Sequence, residues 1–242
     1  LQTDYIDVYQ FHNPTFVPRP GGADGLYDAA LKAKEQGKIR YIGITNHRMP
    51  VALEAVNSGL YATMEYPFSY LANDEELALV EKTKEAGMGF VAMKGMAGGL
   101  LPDGRTSYAF MSQFAHVLPI WGIQRDSELD EFLNCQDCPP VLDTAMQATI
   151  AKNKKELVGG FCRACGYCLP CPVGIDIPRD ARMSLLLRRF PPQFNLTPER
   201  QANMALIPKC LHCNHCKNNC PYGLDTPELL KANYKDYLTF LK

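Results

Sequence analysis

Apolar residues along the first 134 positions alternate between two rhythms. Short β-branched and aromatic runs have the length of buried strands, and between them lie stretches whose apolar positions recur at helical spacing. The runs are Asp4 to Phe11 (DYIDVYQF), Arg40 to Thr45 (RYIGIT), Tyr61 to Tyr66 (YATMEY), Gly89 to Lys94 (GFVAMK) and Val117 to Trp121. Helices are predicted over Gly25 to Gln36, stopped by Gly37, and from Pro50 to near Gly59. A third starts at an Asn73 cap, with Asp74, Glu75 and Glu76 in its first turn favoured by the helix dipole, and ends at Gly87. Ser107 to His116 and Ser127 to Asn134 complete the set. Five β–α units with short connections predict an α/β fold with a parallel sheet covered by helices. Such units suit either an open doubly wound sheet or part of a (β/α)8 barrel.

The rhythm changes after residue 134. Residues 135–160 read as a linker carrying an amphipathic helix from Asp143 to Leu157, with Gly159-Gly160 as its stop. Residues 161–242 then predict a small, mainly helical domain. Arg179 to Phe190 is one helix, broken by Pro191-Pro192. Thr197-Pro198-Glu199 starts a return helix with a cap and an N1 proline, and Thr226-Pro227-Glu228 repeats that signal for a terminal helix to about Phe240.

Eight of the ten cysteines fall in this last domain, in two runs: FCRACGYCLPCP and KCLHCNHCKNNCP. The first supplies Cys162, Cys165, Cys168 and Cys171, the second Cys210, Cys213, Cys216 and Cys220. The second run matches the ferredoxin spacing C-x2-C-x2-C-x3-C-P residue for residue, and the first is one residue shorter before its last cysteine. Thiols at every third position crowd several sulfurs into a small volume, which a bound metal relieves. Zinc is the competing metal, but its four-cysteine sites usually join two CxxC pairs across a longer loop, so iron–sulfur clusters are the expectation. His212 and His215 lie between the ligands as surface residues. Cys135 and Cys138 form an isolated CxxC read as plain linker cysteines.

Composition narrows the function classes. The formal net charge is −1 with both signs interspersed, so no nucleic-acid footprint or polybasic membrane patch is present. Apolar runs such as MSLLL are too short to span a bilayer, and the start shows no secretion signal. Cysteine-rich runs without such a signal point to a reducing, cytoplasmic setting with metal-bound thiolates. The chain opens directly on a strand pattern without Met, as the middle of a longer protein would.

Polar residues cluster at the predicted carboxyl ends of strands, where α/β folds place their chemistry: His12, Asn46, Glu65, Tyr66, Lys94, Gln124 and Arg125. Neither GxGxxG nor GxxxxGK[ST] occurs. Lys94 alone would also suit a Schiff-base lysine of an aldolase-type barrel.

DYIDVYQFH, KIRYIGITNH, MEYPFSYL and GFVAMKGMAGGLL resemble, in order and spacing, strands four to seven of aldo/keto reductases. Together with the cysteine tail they resemble the bacterial branch of that family with a carboxy-terminal ferredoxin-type domain. The resemblance implies a (β/α)8 barrel moving hydride between NADP or NAD and a small carbonyl or alcohol substrate. Within its Asp, Tyr, Lys and His catalytic set, His12 is the histidine that orients the carbonyl. The other three belong to earlier strands, so about three amino-terminal units are expected to be absent; a barrel of this type takes roughly 250 residues. Thr45 and Asn46 match the positions that hold the nicotinamide amide. Met93 stands where many members place a stacking aromatic. Lys94, Gly95 and the glycines to Gly99, with Arg125 after the last strand, fall where the loops of such barrels hold phosphate. In two-cluster ferredoxins the fourth cysteine of each run crosses to the other cluster. Carried over, one [4Fe–4S] cluster takes Cys162, Cys165, Cys168 and Cys220, and a second takes Cys210, Cys213, Cys216 and Cys171. The expected function is nicotinamide-linked oxidoreduction joined to electron transfer through two clusters, with a redox protein as a further partner. The alternative is an electron-transfer module on a non-catalytic barrel remnant.

Overall fold

The computed structural model describes residues 2–157 and 160–241, and within them the chain forms two compact units. The first comprises residues 1–97 and 103–151, the second residues 98–102 and 152–242. The Gly159 part of the predicted helix stop lies outside the described residues.

The first unit alternates β1 (Ile6–His12), α1 (Leu26–Glu35), β2 (Ile39–Thr45), α2 (Met49–Ser58), β3 (Thr63–Pro67), α3 (Asp74–Glu85), β4 (Gly89–Met93), α4 (Gly104–Met111), β5 (Val117–Pro119) and α5 (Asp126–Asp137). All strand pairs are parallel and the sheet runs β1-β2-β3-β4-β5. An open doubly wound sheet reverses its strand order at a switch point, whereas a barrel adds each strand beside the last. The sequential order is therefore that of a barrel segment. Ile42, Ile44, Met64, Phe90 and Ala92 bury against Ala52, Ala55, Leu79 and Val80 of the helices. Ile6, Val8 and Tyr9 on β1 stay 37–43% exposed, because β1 pairs only with β2 among the described residues.

Local chemistry sets the helix ends. Asn73 Oδ1 accepts the Glu76 N–H and Glu76 returns a carboxylate oxygen to the Asn73 N–H, a capping box that fixes the start of α3. Gly59 closes α2 in the left-handed region. The predicted helix over Ser107 to His116 starts and stops earlier, because the Asp103 carboxylate accepts the Thr106 N–H and hydroxyl. β5 is only three residues long, shorter than the Val117 to Trp121 run. The last helix of this unit extends through Asp137, so Cys135 is not a linker residue: it sits wholly buried on α5.

α6 (Thr144–Glu156) leads into the second unit, which holds α7 (Ile177–Asp180), α8 (Met183–Arg189), α9 (Pro198–Met204), α10 (His215–Asn218) and α11 (Thr226–Tyr237), with short 3-10 turns between. The single helix predicted from Arg179 to Phe190 is broken after Asp180 into α7 and α8. Thr197 caps α9 as its sequence signals. At α11 the cap is Asp225 rather than Thr226: its carboxylate faces the Glu228 N–H, and Thr226 is the first helical residue. Ile175, Ile177, Met183, Leu187, Met204, Ile207, Leu230 and Tyr237 form a small core in which Cys168 and Cys216 are also buried.

Candidate functional site

In the second unit the cysteines line two hollows that open to solvent. Cys162, Cys165, Cys168 and Cys220 line the first. Cys171, Cys210, Cys213 and Cys216 line the other, with Cys168 at its border. Each run thus places its fourth cysteine beside the other run's first three. The route is local: left-handed residues at Ala164, Gly166, His212 and Asn214 coil each run tightly enough to turn successive sulfurs to one side. Ile177 on α7 lines both hollows.

The linings suit an iron–sulfur group. The donors are thiols and the remaining walls are mainly apolar, including Val173, Ile175 and Leu230 in one hollow and Leu224 and Leu229 in the other. Soft thiolates in an apolar setting are the environment of iron–sulfur clusters. Among the described residues, no group of three or more His, Cys, Asp or Glu side chains is arranged to hold a single metal ion. His215 borders the second hollow while its ring meets the Asn219 amide.

Burial pushes the Cys162 and Cys216 thiols up and the Cys168 thiol to about 12. The Ala164 N–H on Cys162 Sγ (3.4 Å) and the nearby Arg182 pull Cys162 the other way. Without a bound group the buried thiols keep their protons, so loading must release them. Positive charge is at hand to offset anionic thiolates. Arg163 borders the first hollow, 4.5 Å from the Tyr222 ring centroid and 4.9 Å from that of Phe161. Arg182, half-buried, is a charged neighbour of Cys162 that the sequence pattern did not single out, since it lies between the two runs.

In the first unit the strand ends bring His12, Thr45 and Glu65 into one register row. Glu65 is half-buried; burial raises its pKa and the charge of His12 opposes the rise. The sequence pattern placed Glu65 at a strand end without assigning it to the site; pairing register is what sets it in the same row as His12, with Thr45 between them. Thr45 Oγ1 accepts the Asn13 N–H at 3.0 Å. Asn46 is fully buried, its Oδ1 accepting the N–H groups of His47 (2.9 Å) and Arg48 (2.8 Å) and its Nδ2 donating to Pro14 O (2.9 Å). Asn46 therefore shapes the β2–α2 turn before it serves any ligand.

Met93 is buried and Lys94 follows it in the left-handed region at φ 61°, with its carbonyl accepting the Ala97 N–H. Gly95 lies against Trp121, so closely that a Cβ would come 2.6 Å from the indole ring. Gly98 and Gly99 belong to the second unit, where Arg182 Nη1 donates to Gly98 O (2.7 Å) and Arg189 Nη1 to Leu100 O (3.0 Å). At the other expected phosphate loop, Glu128 occupies the donors itself. Its carboxylate accepts the Gln124 and Arg125 N–H groups and the Arg125 guanidinium. Those bonds hold the Glu128 carboxyl below its ordinary range. The Arg125 charge is thus paired within its own helix start.

Among the described residues no helix is long and apolar enough to cross a membrane. Residues 161–225 match the 4Fe-4S dicluster domain. An uncharacterized oxidoreductase of Bacillus subtilis, YrpG, is 31% identical over 107 residues, covering 42% of this chain and 32% of that protein. Methylglyoxal reductase DkgB of Salmonella typhi is 39% identical over 80 residues, 30% of this chain and 28% of that protein. The chain thus spans about a third of the length of the curated relatives it matches. The solved aldose reductase of Giardia lamblia superposes with a TM-score of 0.52 at 18% identity, over 70% of this chain and 68% of that one, a likeness of fold. With its sequential parallel sheet and residues 1–137 matching the model of the aldo/keto reductase family, the chain belongs to that family.

Proposed function

We propose that the chain is part of an oxidoreductase that joins nicotinamide-linked carbonyl or alcohol chemistry to one-electron storage in two [4Fe–4S] clusters. The observation that carries this reading is the pair of cysteine-lined hollows appended to an aldo/keto reductase barrel segment. Cys162, Cys165, Cys168 and Cys220 would hold one cluster, and Cys171, Cys210, Cys213 and Cys216 the other. The clusters supply reversible one-electron exchange, which suits a redox protein partner; hydride transfer stays with NADP or NAD. In the barrel, His12 orients a small carbonyl substrate, with Glu65 in the same row steadying the imidazole. Thr45, Asn46 and Met93 frame the nicotinamide end of the cofactor, and Lys94 and Gly95 lie toward its phosphate. Arg125 serves its phosphate only by exchanging Glu128 for it. The setting is a reducing one, as in cytoplasm.

Anaerobic reconstitution with iron and sulfide tests the reading. The expected result is eight irons per chain, visible absorbance bleached by dithionite, and NADPH binding weakened by Thr45→Ala. Four irons would remove one cluster. Eight irons with no NADPH binding would leave an electron-transfer module, and zinc without iron would overturn the proposal.

A further inference from the structure

The second unit buries one carboxyl group that none of these roles uses. Asp180, at the end of α7, has 0% exposure, and neither of its oxygens has a hydrogen-bond partner among the described residues. A buried carboxylate without partners is costly, so such a group is held neutral or has a task. α7 also borders both cysteine sets. Ile177, one turn before Asp180, lines both hollows, and the Pro178 carbonyl accepts the Cys162 thiol. Asp176 lies one turn before Asp180 and its N–H-to-carbonyl partner is direct: Asp180 N donates to Asp176 O. The Asp176 side chain is 42% exposed, so the two carboxyls form an i, i+4 pair with one member in water and one in the interior.

We propose that Asp180 is a redox-linked proton site, taking a proton from solvent by way of Asp176 when a neighbouring cluster gains an electron. The inference rests on the reading that both hollows hold clusters. The balance is simple. One electron enters from an external one-electron donor, one proton from water makes an O–H bond on Asp180, and both leave on reoxidation. No other bond changes.

The charged and titratable groups around Asp180 set its readiness. Asp176 opposes its ionisation, while Arg179 on its own helix and Arg200 on α9 favour it. Tyr237 on α11 faces it with a hydroxyl committed to Asn195 O, and Arg182 at the start of α8 is turned to Pro178 O and Gly98 O. Arg179 is diverted as well: its Nη2 donates to Asn195 Oδ1 at 2.8 Å, and its buried Nε is unpartnered among the described residues. Burial is the largest cause of a carboxyl pKa pushed up to about 7. Near neutral pH a further negative charge close by favours the protonated form.

The experiment is a spectroelectrochemical titration of the reconstituted chain from pH 6 to 8.5, with infrared difference spectra on reduction. At least one midpoint potential should fall as pH rises, by up to about 59 mV per unit for one proton per electron. Reduction should produce the carbonyl band of a protonated carboxyl. Asp180→Asn should flatten the slope and remove the band, and Asp176→Asn should keep the slope but slow proton uptake. A pH-independent potential in the unmodified chain, or a slope that survives Asp180→Asn, overturns the proposal. Should Asp180→Asn fail to load iron, the infrared band of the unmodified chain decides alone. Failure of the chain to take up iron, or clusters that dithionite cannot reduce, instead sinks the cluster reading itself.

Discussion

The two units reach a folded state by different means. In the first, helices α1, α2 and α3 have ten to twelve residues and bury a continuous apolar face, with Ile44, Met64 and Leu79 fully enclosed. In the second, α7 to α10 have only four to seven residues, and Cys168 and Cys216 take places in the core. Helices that short do not persist by themselves, because nucleation costs more than a few hydrogen bonds return. The first unit is therefore specified by hydrophobic periodicity, and the second by what gathers its sulfurs. The lesson is that one chain can carry two separate sources of order.

Removing iron from the loaded chain should break this comparison most sharply. Buried thiols whose protons are displaced by a bound group link cluster binding to folding, and structural metal sites contribute about 10 kcal/mol or more in apparent free energy. Chelation should abolish hydrogen-exchange protection in α8, α9 and α11 while leaving β2 to β4 protected. Equal loss in both units, or retained protection in α11, would contradict the distinction. Within the loaded chain, Cys171→Ser should disturb the cluster of the second run and Cys220→Ser that of the first, as electron paramagnetic resonance of each would report.

That contrast also governs how much was legible in the sequence. Strand and helix order in the first unit follows from periodicity, and Asn73 and Gly59 act where their chemistry predicts. The ends of α4 and α5 were less legible, because Asp103 moves a helix start and packing draws Cys135 into a helix core. Cysteine spacing marked the two sets, but spacing says nothing of Ile177 bridging both hollows or of an unpartnered Asp180 beyond it. Glu128 was hidden for another reason. An acidic residue three positions after Arg125 reads as helix-start chemistry, and only coordinates show that it also takes up the donors expected to meet phosphate.

A middle-sized effect probes the first unit's steric order. Trp121 stacks on Phe132 at 4.5 Å between centroids and against Tyr108 at 6.2 Å, so its ring has little room to yield. Gly95 leans on that ring, and Gly95→Ala should cost about 1–3 kcal/mol through overpacking. Trp121 is the single tryptophan, which makes its fluorescence a direct reporter. The expected outcome is a lower urea midpoint for the tryptophan signal with the second unit's cluster absorbance unchanged. An unaltered midpoint would show that the ring is free to move.

The smallest effect compares like with like. Asn73 caps α3 in the first unit, and Thr197 caps α9 in the second, each accepting a backbone N–H from the third residue on. Replacing either with Ala removes one such bond, worth about 1 kcal/mol in a typical helix. In the first unit that loss should pass directly into the stability of the sheet and its helices, since packing, hydrogen bonds and exposed ion pairs hold them. In the loaded second unit the helix ends are tethered through the sulfurs, and unfolding there requires cluster loss. Thr197→Ala should then leave the denaturation midpoint of the loaded chain nearly unchanged, while Asn73→Ala lowers the tryptophan-reported unfolding free energy by about 1 kcal/mol. If both substitutions shift their units equally, packing rather than ligation limits the second unit. The division drawn between the two sources of order would then be wrong.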